Sequence, residues 1–171
     1  KMYIQPNQLL PIKPVGDTQK KVFEAWGKDK NIFLTGSAGT GKTFVLLHLA
    51  LKDVLDKSKP YEKVILVRSL LPSRDIGFLP GTLEEKSGLY QDPYRILIKY
   101  LFEAPSEQDL AQVYDKLVAQ GSLEFYSTSF LRGQTFDRSI VIVDEASNMI
   151  FQELDTIMTR IGQDSKICFA G

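Results

Sequence analysis

Eight consecutive residues, Gly36-Ser37-Ala38-Gly39-Thr40-Gly41-Lys42-Thr43, have the composition of a loop that wraps an anion. Glycines let the main chain curl with its N–H groups pointing inward and no side chain in the way. Lys42 supplies a point charge for β- and γ-phosphates, and the Thr43 hydroxyl is a hard oxygen ligand for Mg²⁺. The run matches the phosphate-loop pattern G-x-x-x-x-G-K-[ST], so the expected ligands are ATP, held by all eight residues, and Mg²⁺. A glycine-rich turn with an incidental lysine is the plainer alternative. The flanking sequence argues against it, because it predicts a strand before the loop and a helix after it.

A second candidate is the pair Asp144-Glu145, which follows the apolar run Ile140 to Val143. Two carboxylates at the end of a buried strand are costly unless something uses them. Asp144 is expected to orient Mg²⁺, directly or through water, and Glu145 to polarise an attacking water as general base. Lys42, Asp144 and Glu145 are therefore the candidate catalytic residues, and Thr43 and Asp144 the candidate metal ligands. The second acid favours hydrolysis over transfer to a small-molecule acceptor, the chemistry of a P-loop kinase. An aspartate that only caps the next helix is the competing reading.

The elements that must hold these groups can be read from apolar periodicity. Residues 31–35, 63–67, 123–127, 139–143 and 166–170 are short apolar runs and predict five buried strands. Between them lie helical patterns: Val22, Phe23 and Trp26 behind a cap at Asp17 or Thr18; residues 44–55, apolar almost all round; and residues 94–102. A further helix is capped at Ser106 and stopped at Gly121, with Leu110, Val113, Tyr114, Leu117 and Val118 on one face. Leu154, Ile157, Met158 and Ile161 form another stripe that ends at Gly162. Such alternation predicts an α/β fold: a P-loop nucleotide-binding core with a mostly parallel five-stranded sheet and helices on both faces. Ligands in these sheets bind beyond the carboxyl ends of the strands, where the glycine loop and Asp144 both fall. Residues 1–16, with Pro6, Pro11 and Pro14, predict an extended arm before one domain at 17–171. Residues 69–90 are rich in glycine, proline and charge and predict an irregular loop.

Composition bounds the rest. The chain has 171 residues, 43% of them apolar, enough for a folded core. No apolar run is long enough to cross a membrane. A single cysteine, Cys168, forms no internal disulfide and fits a reducing cytoplasm. Basic and acidic residues balance at 21 each, so nucleic-acid binding needs a local site rather than a global field. His48 and the aromatics Phe125, Tyr126, Phe130 and Phe136 are more ordinarily packed residues than a catalyst or base-stacking platforms.

Four longer stretches carry a resemblance. They are GSAGTGKT (36–43), VRSLLPSRDIGFLPGTLEEK (67–86), STSFLRGQTFDRSIVIVDEASNM (127–149) and ELDTIMTRIGQDSKICFAG (153–171). Through them the chain resembles the PhoH-like, phosphate-starvation-inducible ATPases, in a short form like those carried by phages. That family is similar to the motor domain of superfamily-one helicases. The resemblance implies an ATPase coupled to single-stranded RNA or DNA, working as a homo-oligomeric ring, a hexamer among the possibilities. It implies that Gln19 reads adenine and that Arg68, Arg74 and the loop to Lys86 contact nucleic-acid backbone. Arg132 and Arg160 are the candidates for an arginine offered to a neighbour's ATP. Two departures stand out. Ser147 occupies the place of the usual glutamine in Asp-Glu-Ala-Gln-Asn. The sequence also ends at Gly171, just short of the end of the third helicase-type motif, so the expectation is a domain trimmed there. A nucleotide-dependent assembly module with slow hydrolysis is the competing function.

Overall fold

The computed structural model describes residues 3–36, 41–69, 93–131 and 133–171. Five strands, β1 (Ile32–Leu34), β2 (Lys63–Arg68), β3 (Leu123–Ser127), β4 (Ser139–Val143) and β5 (Lys166–Ala170), form one sheet in the order β1-β5-β4-β2-β3. Every pairing is parallel. Parallel strands need crossovers, and α-helices supply them: α1 (Gly16–Gly27), α2 (Lys42–Leu55), α3 (residues 93–101), α4 (Glu107–Ala119) and α5 (Phe151–Met158).

The strands are apolar on both sides because both faces are covered. Alternate residues separate into two cores. Val64, Leu66, Ile140, Ile142 and Cys168 meet the apolar sides of α1 to α4. Ile65, Val67, Val141, Val143 and Ile167 meet Ile157 of α5 and the turns around it. A one-residue slip in register would swap the two sets, so strand pairing here is tightly specified.

Several boundaries differ from the periodic reading, each for a local reason. The arm is not simply extended. Pro6 opens a short 3₁₀ turn (Pro6–Gln8), and Ile4 and Leu9 are buried in the larger core, which gives residues before α1 a packing role. α1 begins at Gly16 behind Val15, not behind Asp17 or Thr18, and it is the Gln19 side chain that accepts from the Val15 N–H (2.7 Å). α4 follows the reading at its start, with Ser106 Oγ accepting from the Asp109 N–H (3.1 Å), but Val118 faces solvent. α5 stops at Met158, three residues early, because Ile161 bridges to Phe136 and leaves the helical path. Gly162 is therefore not a helix stop: a methyl group there would collide with the Asp137 carboxylate.

One consequence of the strand order governs the site. β5 lies between β1, which leads into the glycine loop, and β4, which ends at Asp144. The three strands finish side by side at one edge of the sheet.

Candidate functional site

The site is assembled from the carboxyl ends of β1, β5, β4 and β2. Gly41 sits at φ +75°, a left-handed conformation that glycine adopts without strain, and turns the chain into α2. Lys42 and Thr43 are the first residues of that helix, so its positive end points into the cleft. The Lys42 Nζ donates to the main-chain oxygen of Gly36 (2.9 Å) and to that of Gly171, at the end of β5. Among the described residues, the ammonium's hydrogen-bond partners are backbone oxygens.

From the other side, Thr43 Oγ1 donates to Asp144 Oδ1 at 2.8 Å. Asp144 Oδ1 also accepts from the Glu145 N–H (2.9 Å), and Oδ2 accepts from the Tyr94 hydroxyl of α3 (2.7 Å). Tyr94 is 1% exposed. Burial first, and then the neighbouring Asp144 carboxylate, push its phenol far above the usual range, so it remains a donor. Glu145 Oε1 accepts from the Arg68 guanidinium (2.7 Å), which stands at the end of the adjacent β2.

The backbone of Glu145 is in the left-handed region, φ 52° and ψ 40°, uncommon for a residue with a long side chain. It is held there by the Glu145 carbonyl, which accepts from Asn148 N–H (3.0 Å), and by the two contacts named above. Backbone strain retained by its surroundings is a common mark of a working position.

These groups border a cleft of about 370 Å³, whose walls include Gly36, Lys42, Thr43, Asp144, Glu145 and Asn148. A second cavity of about 280 Å³ meets it at Gly36, Gly41 and Lys42 and is lined by Gln19, Val22 and Val45. An N–H can only donate, so the Gln19 carbonyl must face Val15 and its NH₂ group is left as a donor. The donor set suits Mg²⁺. A hydroxyl and a carboxylate offer hard oxygens, and no cluster of three or more His, Cys, Asp or Glu side chains exists among the described residues. That pattern fits a cation whose remaining ligands are phosphate oxygens and water rather than an all-protein cage.

The structure brings together Gly36, Gly41, Lys42, Thr43, Asp144 and Glu145, with Gln19 next door and Arg68 turned onto Glu145. Ser147 lines the same cleft. Arg160 is elsewhere: its carbonyl accepts from Phe136 N–H, which precedes β4, so it lies at the opposite edge of the sheet. Ser37, Ala38, Gly39, Thr40, Arg74, Lys86 and Arg132, and the loop predicted at 69–90 apart from Ser69, lie outside the described residues. His48 is buried in α2, and burial, with Lys52 behind it, lowers its pKa and keeps the ring neutral. Phe125 packs on Tyr94 (centroids 5.8 Å apart) and Tyr126 on Phe136 (5.3 Å), as ordinary packed aromatics do. Burial pushes the Cys168 thiol up to about 12, leaving it inert. The residue that sequence reasoning missed is Tyr94. A buried tyrosine hydroxyl requires a partner, which was a usable signal, but the partner is 50 residues away.

Comparison with known proteins places the chain in a family. A family model described as "PhoH-like protein" matches residues 11–171. Protein PhoH2 of Bacillus subtilis is 34% identical over 141 residues, 82% of this chain and 31% of its own length. A PhoH-like protein of Mycobacterium leprae is 30% identical over 161 residues, 94% of this chain and 44% of its own. Protein PhoH of Escherichia coli is 29% identical over 163 residues, again 94% and 44%. The chain thus spans between about a third and just under half of these curated relatives. No helix among the described residues is long and apolar enough to cross a membrane. With the family model running from the arm to the end of β5, the chain belongs to the PhoH-like family and has the α/β fold of its P-loop nucleoside triphosphatases.

Proposed function

We propose that this domain binds ATP with Mg²⁺ and hydrolyses it, and that hydrolysis is coupled to single-stranded nucleic acid, RNA foremost, in a homo-oligomeric ring. The observation that carries the catalytic part is the 2.8 Å contact between Thr43 and Asp144, because it joins the phosphate-loop helix and the acid strand in one cleft beside Lys42. Lys42 exchanges its two backbone oxygens for phosphate oxygens. Thr43 and Asp144 would hold Mg²⁺, which would supply charge neutralisation on the phosphates. Glu145 accepts a proton from the water that attacks the γ-phosphorus as the bond to the ADP oxygen breaks. Gln19, with its NH₂ group free, donates to an acceptor nitrogen of adenine at the rim of the second cavity. Asp144 and Glu145 together speak against transfer to a small-molecule acceptor.

Coupling to nucleic acid draws on the family resemblance and on Arg68, a cation at the sheet edge in contact with the proposed base. Arg160, whose carbonyl bonds to the segment ahead of β4, is the candidate among the described residues for an arginine offered to a neighbouring subunit's ATP. The test is an ATPase assay across RNA and DNA oligomers, with subunit mass measured in parallel. RNA is expected to raise the rate, and Glu145→Gln is expected to abolish turnover while retaining ATP. If no polynucleotide changes the rate of the full-length protein, the motor reading fails.

One observation favours a second reading. The Arg68–Glu145 ion pair engages the proposed base. A domain kept in that state binds ATP, hydrolyses it slowly and uses nucleotide to set its assembly. Native mass with and without ATP separates the two: a mass change without turnover supports assembly.

A further inference from the structure

A carboxylate has two oxygens and about four acceptor positions. On Asp144, three are occupied by protein donors. Oδ1 takes the Thr43 hydroxyl and the Glu145 N–H, and Oδ2 takes the Tyr94 hydroxyl. Because Thr43 gives its only proton to Oδ1, its own lone pairs remain available as acceptors, and the residue lines the cleft. One acceptor position is left on Asp144, on the oxygen that Tyr94 holds. The direction of that position depends on where the phenol pins Oδ2.

We propose that Tyr94 is a positioning residue for the metal site: its hydroxyl fixes the Asp144 carboxylate so that the one remaining acceptor position faces the metal and its water. This rests on the ATP–Mg²⁺ reading above. The phenol is well suited to the task. Tyr94 is 1% exposed and its ring packs against Phe125, so it cannot swing away without opening the core. Its helix, α3, carries Ile98 and Leu101 into the same core, both fully buried, which anchors the tyrosine from below. Groups that hydrogen-bond a metal's protein ligand orient that ligand and tune the metal's affinity. Tyr94 stands to Asp144 in that relation, and it comes from an element that supplies neither the phosphate loop nor the acid pair.

The experiment uses the full chain and a fluorescent ATP analogue. Nucleotide binding is measured in excess EDTA and then across a Mg²⁺ titration. The same series with Mn²⁺ is followed by electron paramagnetic resonance, which reports the metal directly. Tyr94→Phe keeps the ring and removes the hydroxyl. It is expected to leave metal-free nucleotide binding unchanged, to raise the Mg²⁺ midpoint by roughly 10-fold, and to alter the Mn²⁺ spectrum. Phe125→Leu disturbs the packing of the same ring without touching the hydroxyl and is expected to leave the midpoint where it is.

An unchanged midpoint in Tyr94→Phe overturns the proposal, as does an equal shift in Phe125→Leu. If Tyr94→Phe does not fold, 3,5-difluorotyrosine at position 94 keeps the shape and changes the donor strength, and a midpoint identical to wild type then overturns the proposal. A wild-type chain without metal-dependent nucleotide binding defeats the functional reading and this inference together. A wild-type chain that shows the metal effect but no turnover defeats hydrolysis alone.

Discussion

The two edges of the sheet treat charge in opposite ways. At the carboxyl edge, Lys42, Asp144 and Glu145 border an open cleft, Arg68 pairs with Glu145, and Lys42 donates to backbone oxygens that a ligand can replace. At the amino edge, Lys166 opens β5 and is 1% exposed. Its ammonium lies 4.1 Å above the Trp26 ring, 3.4 Å from the Trp26 carbonyl and 3.6 Å from the Asp29 carboxylate. Both lysines open an element, Lys42 the helix α2 and Lys166 the strand β5. The first is held by exchangeable partners in an open cleft. The second is buried against the Trp26 ring and carbonyl, which are part of the fold. Isolated burial of an ammonium is prohibitive, so a lysine buried this deeply has to be paired within the fold. The difference separates charge kept for a ligand from charge kept for the structure.

That comparison is broken or sharpened by exchanging the two roles. Lys42→Ala is expected to lower ATP affinity by about 100-fold or more through the loss of charge-assisted bonds to phosphate, with the melting temperature nearly unchanged. Equilibrium binding and a thermal melt on one sample check both parts. A large drop in melting temperature would remove the distinction between the two edges.

Lys166→Ala is expected to do the reverse. It should cost about 3 kcal/mol of stability, from the cavity beneath Trp26 and the lost cation–π contact, with ATP affinity preserved in the folded fraction. Lys166→Met sharpens the point. The stem still packs against Trp26 and the exposed Asp29 can rehydrate, so denaturant titration should place it within about 1 kcal/mol of wild type. Asp53→Ala removes the acceptor of the Trp26 Nε1–H bond (2.8 Å) that ties α1 to α2, and is expected to cost about 1 kcal/mol by the same measurement.

The smallest effect concerns acid. His48 has a lowered pKa in the fold, mainly through burial. As the pH falls through its ordinary value near 6.5, the unfolded chain takes up a proton more readily than the folded ring, so stability falls as the pH falls. His48→Leu should flatten the dependence of melting temperature on pH through that region.

The sheet and most of the site were legible in the sequence because they are local. Apolar runs bounded by turns mark each strand, and the glycine spacing and the acids after Val143 mark the two halves of the cleft. What was not legible is long-range. Arg68 reads as a charge at the start of a loop, and only the β2–β4 register, with Val67 opposite Val143, reveals that it stands beside Glu145. Tyr94 reads as a core residue of a helix, and nothing in its spacing points to Asp144. Ile4 and Leu9 are too few and too irregular for periodicity to place them in the core. The early end of α5 was hidden because Ile161 fits a helical stripe and a bridge equally well.

The interposition of β5 sets a ruler for the cleft. Neighbouring strands stand about 4.8 Å apart, so β1 and β4 are offset by about 10 Å. Were the two strands adjacent, the loop and the acids would crowd one another at half that span. The gap is therefore built into the hydrogen-bonded lattice of the backbone, and no side-chain substitution at the rim can narrow it without removing a strand.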